Sequence, residues 1–486
     1  KVVIIDECHA YDAYMSQYLN RALNWLGAYG VPVIVLSATL PAEKRKSVVE
    51  AYLGRDFLPK KQIDPLADRP VMEEVTPYWV LNHEYPLITY TDGTEIRQTT
   101  VPEDDEKKTV KMGQVLEDNL VTLLQEELSE GGCAGVLVNT VKRAQEISRT
   151  LREVFGDDAI KLLHSRFLAP DRARKEQELL DELGKPGGET ERPPFRIVVG
   201  TQVLEQSLDI DFDVMVTDLC PMDLLLQRMG RLHRHNRSRP QKVSQAKCYT
   251  IENAEQDFNP ASEKIYGGYL LMRTKALLPS QVTMPKDIPA LVQGVYDDRN
   301  DLTVEHKDYQ QHKDRWMHIL RDKEKRARDF RIDPAWTDLK QTMIGWMDTD
   351  VTHHQSEATV RDTDESIEVL LVQQKINGSI HFLPWAEDGR EIMLHQPLDH
   401  VTAKALARQR IRLPGILCAP WSIDNTIREL EETNKNQLSL WQQSPWLKGE
   451  LALILDESLK AQIGNYRIQY HQQEGMIYEK EEDADV

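Results

Sequence analysis

The sequence of 486 residues lacks long hydrophobic runs. A helix that spans a bilayer needs about 20 consecutive apolar residues, and no stretch of that length occurs. The first residue is a lysine, and no basic segment followed by an apolar one comes after it, so no secretory leader is visible. We therefore expect no membrane span and no membrane partner.

Cysteine is also scarce, and its distribution is irregular. The five cysteines are Cys8, Cys133, Cys220, Cys248 and Cys418. Their odd number and the lack of a C-x-x-C pair argue against a disulfide framework and against a zinc site. Several of them stand in apolar runs, where cysteine behaves as a small hydrophobic residue. This usage fits a reducing, cytoplasmic compartment.

Positive charge is in deficit, since 60 Lys and Arg face 79 Asp and Glu, for a net charge of −19. Proteins that bind nucleic acid are usually basic, so this balance argues mildly against such a partner. A motor protein, however, needs only a local basic track, and its remaining surface can be acidic. Hydrophobic residues at 40% and charged residues at 29% are typical of a globular protein.

Short apolar runs alternate with helical patterns along the chain. The runs are Lys1–Ile5, Val33–Leu36, Gly135–Val138, Ile160–Leu163, Arg196–Val199 and Val214–Thr217. This alternation predicts a doubly wound α/β architecture with parallel strands that are buried on both faces. Because such a strand stands at the very first residue, we expect further sequence upstream of Lys1.

The chain divides into four predicted segments. Residues 1–110 form the end of a first α/β domain with a β-hairpin insertion, signalled by Thr91-Asp92-Gly93-Thr94. Residues 111–297 form a complete second α/β domain, and 298–366 form a linker helix and loop. Residues 367–486 form a mixed α+β accessory domain, in which Asn377-Gly378 signals another hairpin.

Polar residues follow the first two apolar runs. In Asp6-Glu7-Cys8-His9 the first carboxylate can hold Mg²⁺ and the second can orient a water for nucleotide hydrolysis. Acidic pairs are also common at strand ends, so this motif alone leaves both interpretations open. In Ser37-Ala38-Thr39 the hydroxyls could bond those carboxylates, although an ordinary turn with Thr39 as a helix cap is favoured when the tripeptide is taken alone.

Two later motifs point to phosphate contacts. Gly200-Thr201-Gln202, followed by Gln206-Ser207-Leu208-Asp209, can bring backbone amides and hydroxyls to a phosphate or to a nucleic-acid backbone, although a plain loop explains it equally well. The more specific segment is Gln227–Arg234, in which Arg228, Arg231 and Arg234 are spaced by three. A helix would place these arginines along one face, where their guanidinium groups suit phosphate oxygens.

The four motifs together resemble motifs II, III, V and VI of superfamily-two helicases of the DExH type. That resemblance implies two RecA-like parallel-sheet domains, the first truncated, with ATP in the cleft between them. It implies that Asp6 holds the metal, that Glu7 positions the water, and that Arg231 and Arg234 act on the γ-phosphate as arginine fingers. The other residues that it places near ATP are His9, Ser37, Thr39, Asp209 and Gln227. It places Asn139, Thr140, Thr201 and Gln202 along the nucleic-acid strand.

A narrower resemblance is to the CRISPR-associated helicase–nuclease of type I systems, and the C-terminal layout is similar to the subtype I-E branch. It rests on three segments and the G-R-L-H-R-H ending. The segments are Asp6–Asp12, Leu36–Pro41 and Thr201–Asp213. The family implies ATP-driven, 3′ to 5′ movement on single-stranded DNA, recruitment by an RNA-guided surveillance complex (Cascade), and an HD nuclease. Two alternatives remain, namely a different DExH helicase acting on RNA or DNA, and a non-catalytic docking module built on 367–486.

The sequence contains neither an HD nuclease signature nor a G-x-x-x-x-G-K-[ST] segment. The latter supplies backbone amides and a lysine to the triphosphate, so ATP binding without it should be weak. We predict that these 486 residues alone neither hydrolyse ATP nor cut DNA, whereas a longer parent does both. A steady-state ATPase assay with single-stranded DNA tests this, and clear turnover by the purified chain would contradict it.

Overall fold

The structure is a computed structural model. It describes residues 1–54, 76–102, 107–187, 191–205, 208–253, 258–297, 308–329, 332, 334–335 and 366–481. The chain forms two compact units. The first comprises Lys1–Met112, Leu219–Leu226 and Glu263–Asp362, and the second comprises Gly113–Asp218, Gln227–Ser262 and Thr363–Val486.

The first unit begins with a parallel pair of strands, β1 (Val3–Ile5) and β2 (Val33–Val35). Helices α1 (Ala13–Ala28) and α2 (Ala42–Tyr52) contribute to a small core with them. Ile4 is 64% exposed and Ile34 is 47% exposed. The prediction that these strands are buried on both faces is therefore wrong here, because the described helices cover alternate residues only.

The first unit also contains a hairpin and a short helix, and one arginine fastens that helix to α2. Strands β3 (Leu87–Asp92) and β4 (Glu95–Thr100) pair antiparallel around Gly93, whose φ is 62°. The hairpin predicted at this turn is thus confirmed. Arg45 donates to the carbonyl oxygens of Trp79, Val80 and Asn82 at 3.0, 3.0 and 2.7 Å. Short helix α3 (Tyr78–Leu81) is thereby fastened to α2.

The first unit continues with elements from much later in the chain. They are the end of α8 (Pro260–Tyr266), α9 (Gly268–Leu277), β11 (Gln281–Met284), α10 (Ile288–Tyr296) and α11 (Tyr309–Asp329). Strand β11 pairs antiparallel with the beginning of β5 (Lys108–Leu116). Helix α11 packs on α1, where Lys323 Nζ lies 2.7 Å from Asp12 Oδ2. Helix α11 lies within the predicted linker segment, of which 298–307, 330–331, 333 and 336–365 are outside the described residues.

The second unit contains a parallel sheet in the order β10-β9-β6-β8-β7. The strands are β6 (Gly132–Leu137), β7 (Ile160–Leu163), β8 (Phe195–Gly200), β9 (Val214–Asp218) and β10 (Lys247–Glu252). Val136, Val199 and Val216 are each 0% exposed. Continuous apolar strands are expected where helices cover both faces of a parallel sheet, so the predicted α/β fold is confirmed.

Helices flank this sheet between its strands. They are α4 (Leu120–Glu127), α5 (Val141–Phe155), α6 (Ala169–Leu183) and α7 (Met222–Met229), the last of which runs from the first unit into the second. Apolar residues of α4 and α5 build one core with the strands, for example Leu124 and Leu151, both 0% exposed. Helix α5 begins at Thr140, whose side chain accepts from the Arg143 amide.

The C-terminal part of the second unit is mixed α+β. A five-stranded sheet contains β12 (Glu368–Gln374), β13 (Ile380–His381), β14 (Glu391–Ile392), β15 (Arg410–Arg412) and β16 (Leu451–Leu455). A meander contains β17 (Lys460–Ile463), β18 (Tyr466–His471) and β19 (Gly475–Lys480), and the helices are α12 (His400–Ala407) and α13 (Ile423–Gln437). The turn predicted at Asn377-Gly378 is confirmed between β12 and β13.

The C-terminal part shares a core with the parallel sheet of the second unit. Leu168 packs in the same apolar cluster as Tyr470. The Tyr470 hydroxyl donates to Asp171 Oδ2 at 2.7 Å and accepts from the Leu168 amide at 3.0 Å. The Trp385 indole donates to the same Asp171 oxygen at 3.1 Å. The compact units thus divide the chain differently from the four predicted segments, which stay a prediction.

One histidine is buried where these two parts meet. His164 is 0% exposed, and its Nε2 donates to the Glu474 carbonyl oxygen at 3.0 Å. Its Nδ1 accepts from the Arg166 amide at 3.1 Å, which fixes the proton on Nε2. Burial lowers the pKa of His164 to about 3. The imidazole is therefore neutral near pH 7.

Two further findings concern composition. All five cysteines are buried with free thiols, as expected for cysteines used as small hydrophobic residues. None of the helices among the described residues is both long and apolar enough to cross a bilayer.

The stability of the second unit should fall as the pH drops below 6.5. The pKa of His164 is lowered in the fold, so the unfolded chain binds a proton there that the folded chain does not. Between pH 7.5 and 5.5 this difference costs about 1.4 kcal/mol, one pKa unit's worth of free energy. Urea unfolding, monitored through hydrogen exchange of the β6 amides at each pH, measures this change in the free energy of unfolding.

The control for this prediction is a pair of neutral substitutions. His164→Gln should remove most of the loss of stability between pH 7.5 and 5.5 that is attributed to His164. His318→Gln should leave the dependence unchanged, because the His318 side chain is 76% exposed. An unaltered slope in the His164 variant would contradict the assignment.

Candidate functional site

Two carboxylates lie directly after β1, at the carboxyl end of the two-stranded sheet. Asp6 and Glu7 are both exposed, and Asp6 Oδ1 accepts from the Glu7 amide at 2.8 Å. Glu7 has φ 52° and ψ 38°, the left-handed conformation. A residue other than glycine in this region costs on the order of 1–3 kcal/mol, and such strain is concentrated at functional sites. Exposed carboxylates at a strand end fit a hydrated Mg²⁺ ion.

His9 connects the first motif to the second. Its Nε2 lies 3.2 Å from Glu7 Oε2, and its Nδ1 lies 3.1 Å from Ser37 Oγ. The imidazole side chain is 2% exposed, whereas the Glu7 side chain is 64% exposed. The sequence suggested that Ser37 bonds a carboxylate directly. In the structure His9 stands between them, and it holds Glu7 while leaving that carboxylate open to solvent.

Thr39 is the second hydroxyl of this motif. It is 4% exposed, and its Oγ1 has no hydrogen-bond partner among the described residues. It follows β2 by a few residues and precedes α2, as the cap interpretation required, but Pro41 rather than Thr39 stands at the N-cap position of α2. A buried hydroxyl without a partner has capacity to bond a ligand or a neighbouring chain segment.

Three residues that the sequence analysis missed support these loops. Lys44 Nζ donates to the carbonyl oxygens of His9, at 3.3 Å, and Tyr11, and burial lowers its pKa. Gln293 on α10 accepts from the Ala42 amide at 2.9 Å, where α2 begins. The Tyr85 hydroxyl donates to the Ala38 carbonyl oxygen at 3.1 Å. Each acts through main-chain atoms, so no side-chain motif marks these residues in the sequence.

Arg228 connects the motif segments of the second unit to one another. It is 0% exposed and forms an ion pair with Glu205, whose Oε1 accepts from Arg228 Nε at 2.7 Å. Its Nη1 donates to Thr217 Oγ1 at 2.6 Å, and its Nη2 donates to Asn139 Oδ1 at 2.9 Å. One guanidinium thereby joins the segments that follow β6 and β8 to strand β9.

The three arginines do not share a helix face, so that prediction is wrong. Helix α7 ends at Met229, and Gly230 follows it. Arg228 is therefore in the helix, whereas Arg231 and Arg234 lie in the loop beyond it. Burial separates them too, since Arg228 is enclosed and the Arg234 side chain is 40% exposed. Gln227, on the last turn of α7, is half-buried.

Arg231 and Arg234 are each held by the segment that follows β8. Arg231 Nη2 donates to the Glu205 carbonyl oxygen at 2.7 Å. Arg234 Nε donates to Asp209 Oδ1, and His235 Nε2 lies 3.4 Å from the same oxygen. The hydrogen bond from Arg234 lowers the pKa of Asp209. Two predicted site residues, Asp209 and Arg234, are thus brought together. Gln206 and Ser207, between these contacts, lie outside the described residues.

The four residues predicted along a nucleic-acid strand follow two adjacent strands. Asn139 and Thr140 follow β6, and Thr201 and Gln202 follow β8. Asn139 is 3% exposed, with Nδ2 donating to Ser262 Oγ at 2.7 Å. Gln202 Nε2 donates to the Asn139 carbonyl oxygen at 3.2 Å. Thr201 is 3% exposed, so the half-buried Thr140 and Gln202 are the more accessible pair.

The site residues therefore form two groups, one in each compact unit. The first group holds two open carboxylates suited to a metal ion and a water molecule. The second holds arginines and a strand-end surface suited to phosphate oxygens. Placement of both groups around one nucleotide stays a prediction.

Two family models match this chain. The model for the C-terminal region of the CRISPR-associated nuclease/helicase Cas3 matches residues 130–237. The Cas3 C-terminal domain model matches residues 361–476. The first match contains strands β6 to β9 of the parallel sheet and the loop 231–234 that carries Arg231 and Arg234, hereafter the arginine loop. The second contains most of the mixed α+β part.

Curated relatives extend the likeness over nearly the whole chain. The CRISPR-associated nuclease/helicase Cas3 of Streptococcus thermophilus is 40% identical over 99% of this chain and 51% of its own length. The Cas3 of Escherichia coli is 28% identical over 85% of this chain and 44% of its own length. The chain thus spans about half the length of these relatives.

Solved structures agree in fold. A crystal structure of a CRISPR-associated protein is 30% identical with a TM-score of 0.80, covering 99% of this chain and 51% of that one. Cas3 of T. fusca with ATP is 26% identical with a TM-score of 0.79, covering 98% and 54%. A chain in a structure titled as a CRISPR RNA-guided surveillance complex, pre-nicking, is 26% identical with a TM-score of 0.71, covering 98% and 57%.

Substitution of Arg228 and of Arg234 should affect stability very differently. Arg228→Ala leaves the buried Glu205 carboxylate without its cation, which should cost about 3–5 kcal/mol. Arg234→Ala removes a half-exposed pair and should cost about 0–1 kcal/mol. Urea unfolding of the second unit compares them. Equal destabilisation by the two substitutions would refute the division into a scaffold arginine and an available one.

Proposed function

Because this chain belongs to the Cas3 family of CRISPR-associated nuclease/helicases, we propose that it forms the C-terminal part of an ATP-driven motor that moves along single-stranded DNA. The observation that carries the proposal is that the motif residues stand at strand ends in a chain 40% identical to a Cas3 protein over 99% of its residues. A different DExH helicase would not explain matches to both Cas3 C-terminal regions.

The carboxylates of the first unit prepare hydrolysis. Asp6 would hold Mg²⁺, and that ion would supply positive charge near the phosphate oxygens. Glu7 orients the attacking water and accepts its proton. His9 lies 3.2 Å from Glu7 and 3.1 Å from Ser37, so it keeps the carboxylate in position and connects it to the next motif. Thr39, with its hydroxyl available, contributes a further hydrogen bond near the nucleotide.

The arginines of the second unit act on charge that develops during phosphoryl transfer. Arginine fingers raise the rate by roughly 10³–10⁵ in GTPases. Arg231 and Arg234 supply this charge, and Gln227 contacts the same phosphate. In the present form Arg234 is paired with Asp209. Asp209 therefore holds the arginine in this form, and the same carboxylate would lie near the ribose and the metal when ATP is bound.

Single-stranded DNA runs over the ends of β6 and β8. Thr140 and Gln202 contact its phosphates, because polar side chains and backbone amides commonly bind a nucleic-acid backbone. Asn139 and Thr201 are both 3% exposed and support this surface from below. The Arg228 guanidinium contacts Asn139, so the DNA surface and the arginine loop are joined by one buried group.

The motor serves type I CRISPR interference, in which invading DNA is unwound and degraded. Its partner is an RNA-guided surveillance complex (Cascade), supported by the similar chain found in a structure with that title. The C-terminal part is the proposed docking region, and subtype I-E stays a prediction. The acidic net charge of −19 keeps most of the surface unfavourable for nonspecific DNA contacts.

In a longer parent that carries the phosphate loop, Glu7→Gln or Arg231→Ala should abolish DNA-stimulated ATP hydrolysis. The first removes the base for the attacking water, and the second removes a positive charge from the transferring phosphoryl group. Loss of about 10³-fold or more in kcat is expected. Steady-state ATPase measurements with saturating single-stranded DNA give the result.

Matched controls come from the exposed pair of Arg467 and Glu481 on the C-terminal meander. Glu481→Gln and Arg467→Ala change the same chemical groups away from the motifs and should keep normal turnover. Turnover near the wild-type value in either motif variant would overturn the assigned roles.

The longer parent should also bind a surveillance complex that is engaged on target DNA. Deletion of 367–486 is a poor test of docking, because Leu168 packs with Tyr470 and Met476 in one core and deletion would expose it. Co-purification should instead compare the intact parent with the variant Trp421→Ala. Trp421 is 75% exposed, so its substitution changes the surface of the C-terminal part without opening the core. Absence of binding by the intact parent would refute the partner.

A further inference from the structure

The arginine loop is built on the segment that follows Asp209. Phe212 and Leu232 form an isolated parallel bridge. The Phe212 amide donates to the Arg231 carbonyl oxygen at 2.9 Å, and the His233 amide donates to the Phe212 carbonyl oxygen at 3.0 Å. His233 has φ 45°, so the loop turns sharply between the two arginines. The backbone course of 231–234 is therefore set by its pairing with Phe212.

Asp211 fixes the same loop through its side chain. It is 0% exposed, and its Oδ1 accepts from the Arg234 amide at 2.8 Å. Arg239 Nη2 lies 2.8 Å from Oδ2, and Arg237 Nε lies 2.7 Å from the same oxygen. The buried carboxylate of Asp211 thus binds the arginine loop at Arg234, and it also binds Arg237 and Arg239, which follow the loop.

Further contacts close this cluster around Asp211. Arg237 Nη2 donates to the Gly184 carbonyl oxygen at 2.6 Å, and Arg239 Nη2 donates to the His235 carbonyl oxygen at 3.1 Å. Arg192, near β8, lies 3.6 Å from Asp211 Oδ2. Buried charges are stable only when they are paired and hydrogen-bonded. The Asp211 carboxylate and its arginines therefore hold one another in a single arrangement.

Asp213 is a natural comparison. It is 2% exposed and shares Arg192 and Arg239 with Asp211. Its Oδ2 accepts from the Cys133 amide at 2.7 Å, at the second residue of β6. Among the contacts that the structure describes, its carboxylate reaches the sheet but not the Arg234 amide. The two aspartates are thus similarly buried and share two arginines, but they differ in their contacts with the loop.

We infer that Asp211 is a positioning residue for Arg231 and Arg234, a role that rests on the proposed function of these arginines. It is fully buried, so it acts by holding the Arg234 main chain rather than by contact with a ligand. A misplacement of about 1 Å in a reacting arrangement can cost roughly 10²-fold in rate. Because the arginines act on charge that develops in the transition state, the loss falls on kcat rather than on the KM for ATP.

The test uses a longer parent with its phosphate loop, and it compares Asp211→Asn with Asp213→Asn. Asp211→Asn should lower kcat about 10–100-fold with the KM for ATP changed less than about twofold. Binding of ADP with aluminium fluoride, which mimics the transferring phosphoryl group, should weaken in parallel. Asp213→Asn should lower the unfolding temperature by a similar amount but leave kcat within about threefold of the wild type.

Arg239→Lys serves as the second variant if Asp211→Asn does not fold. It keeps the positive charge but loses the planar fork that spans both aspartates, so the same selective loss of kcat is expected. Equal kcat in the two aspartate variants, or a rise in KM at unchanged kcat, would overturn the inference. Arg234→Ala is measured alongside, and normal turnover in that variant would instead refute the proposed function itself.

Discussion

The buried guanidinium of Arg228 is the interaction on which the second unit's site depends. It is fully enclosed and bonds Glu205, Thr217 and Asn139, which belong to three different parts of the sheet's carboxyl edge. A charge removed from water is tolerated only when its partners satisfy it. The strand ends are consequently held in one arrangement, and the residues beside them acquire fixed positions.

Arg228 and Arg234 differ in burial, and their expected roles differ accordingly. Arg228 is structural because nothing outside the fold can reach it, whereas Arg234 lies in a loop with its side chain partly exposed. Asp211 resembles Arg228 in its burial, and it is bonded to the main chain of Arg234. The position of such a loop is fixed by the rigid network behind it rather than by its own residues.

Sequence reasoning predicted the element types near the motifs better than the contacts between them. The runs around Val136 and Val199 predict buried parallel strands because several apolar residues follow one another in each. The equal spacing of three arginines suggested a helix face, but Gly230 follows the last helical residue and the loop turns away. Supports such as Lys44 and Gln293 bond main-chain atoms, and such bonds have no side-chain signature in a sequence.

The sequence by itself determined the order of the motifs, the alternation of strands and helices, and the two hairpin turns at Gly93 and Gly378, because these depend on local chemistry and periodicity. Only the tertiary structure decided which polar groups meet. Folding brings His9 to Ser37, and Asp211 to Arg234, from separate segments of the chain. Burial, which gives such pairs their strength, is a property of the packed chain and not of any segment within it.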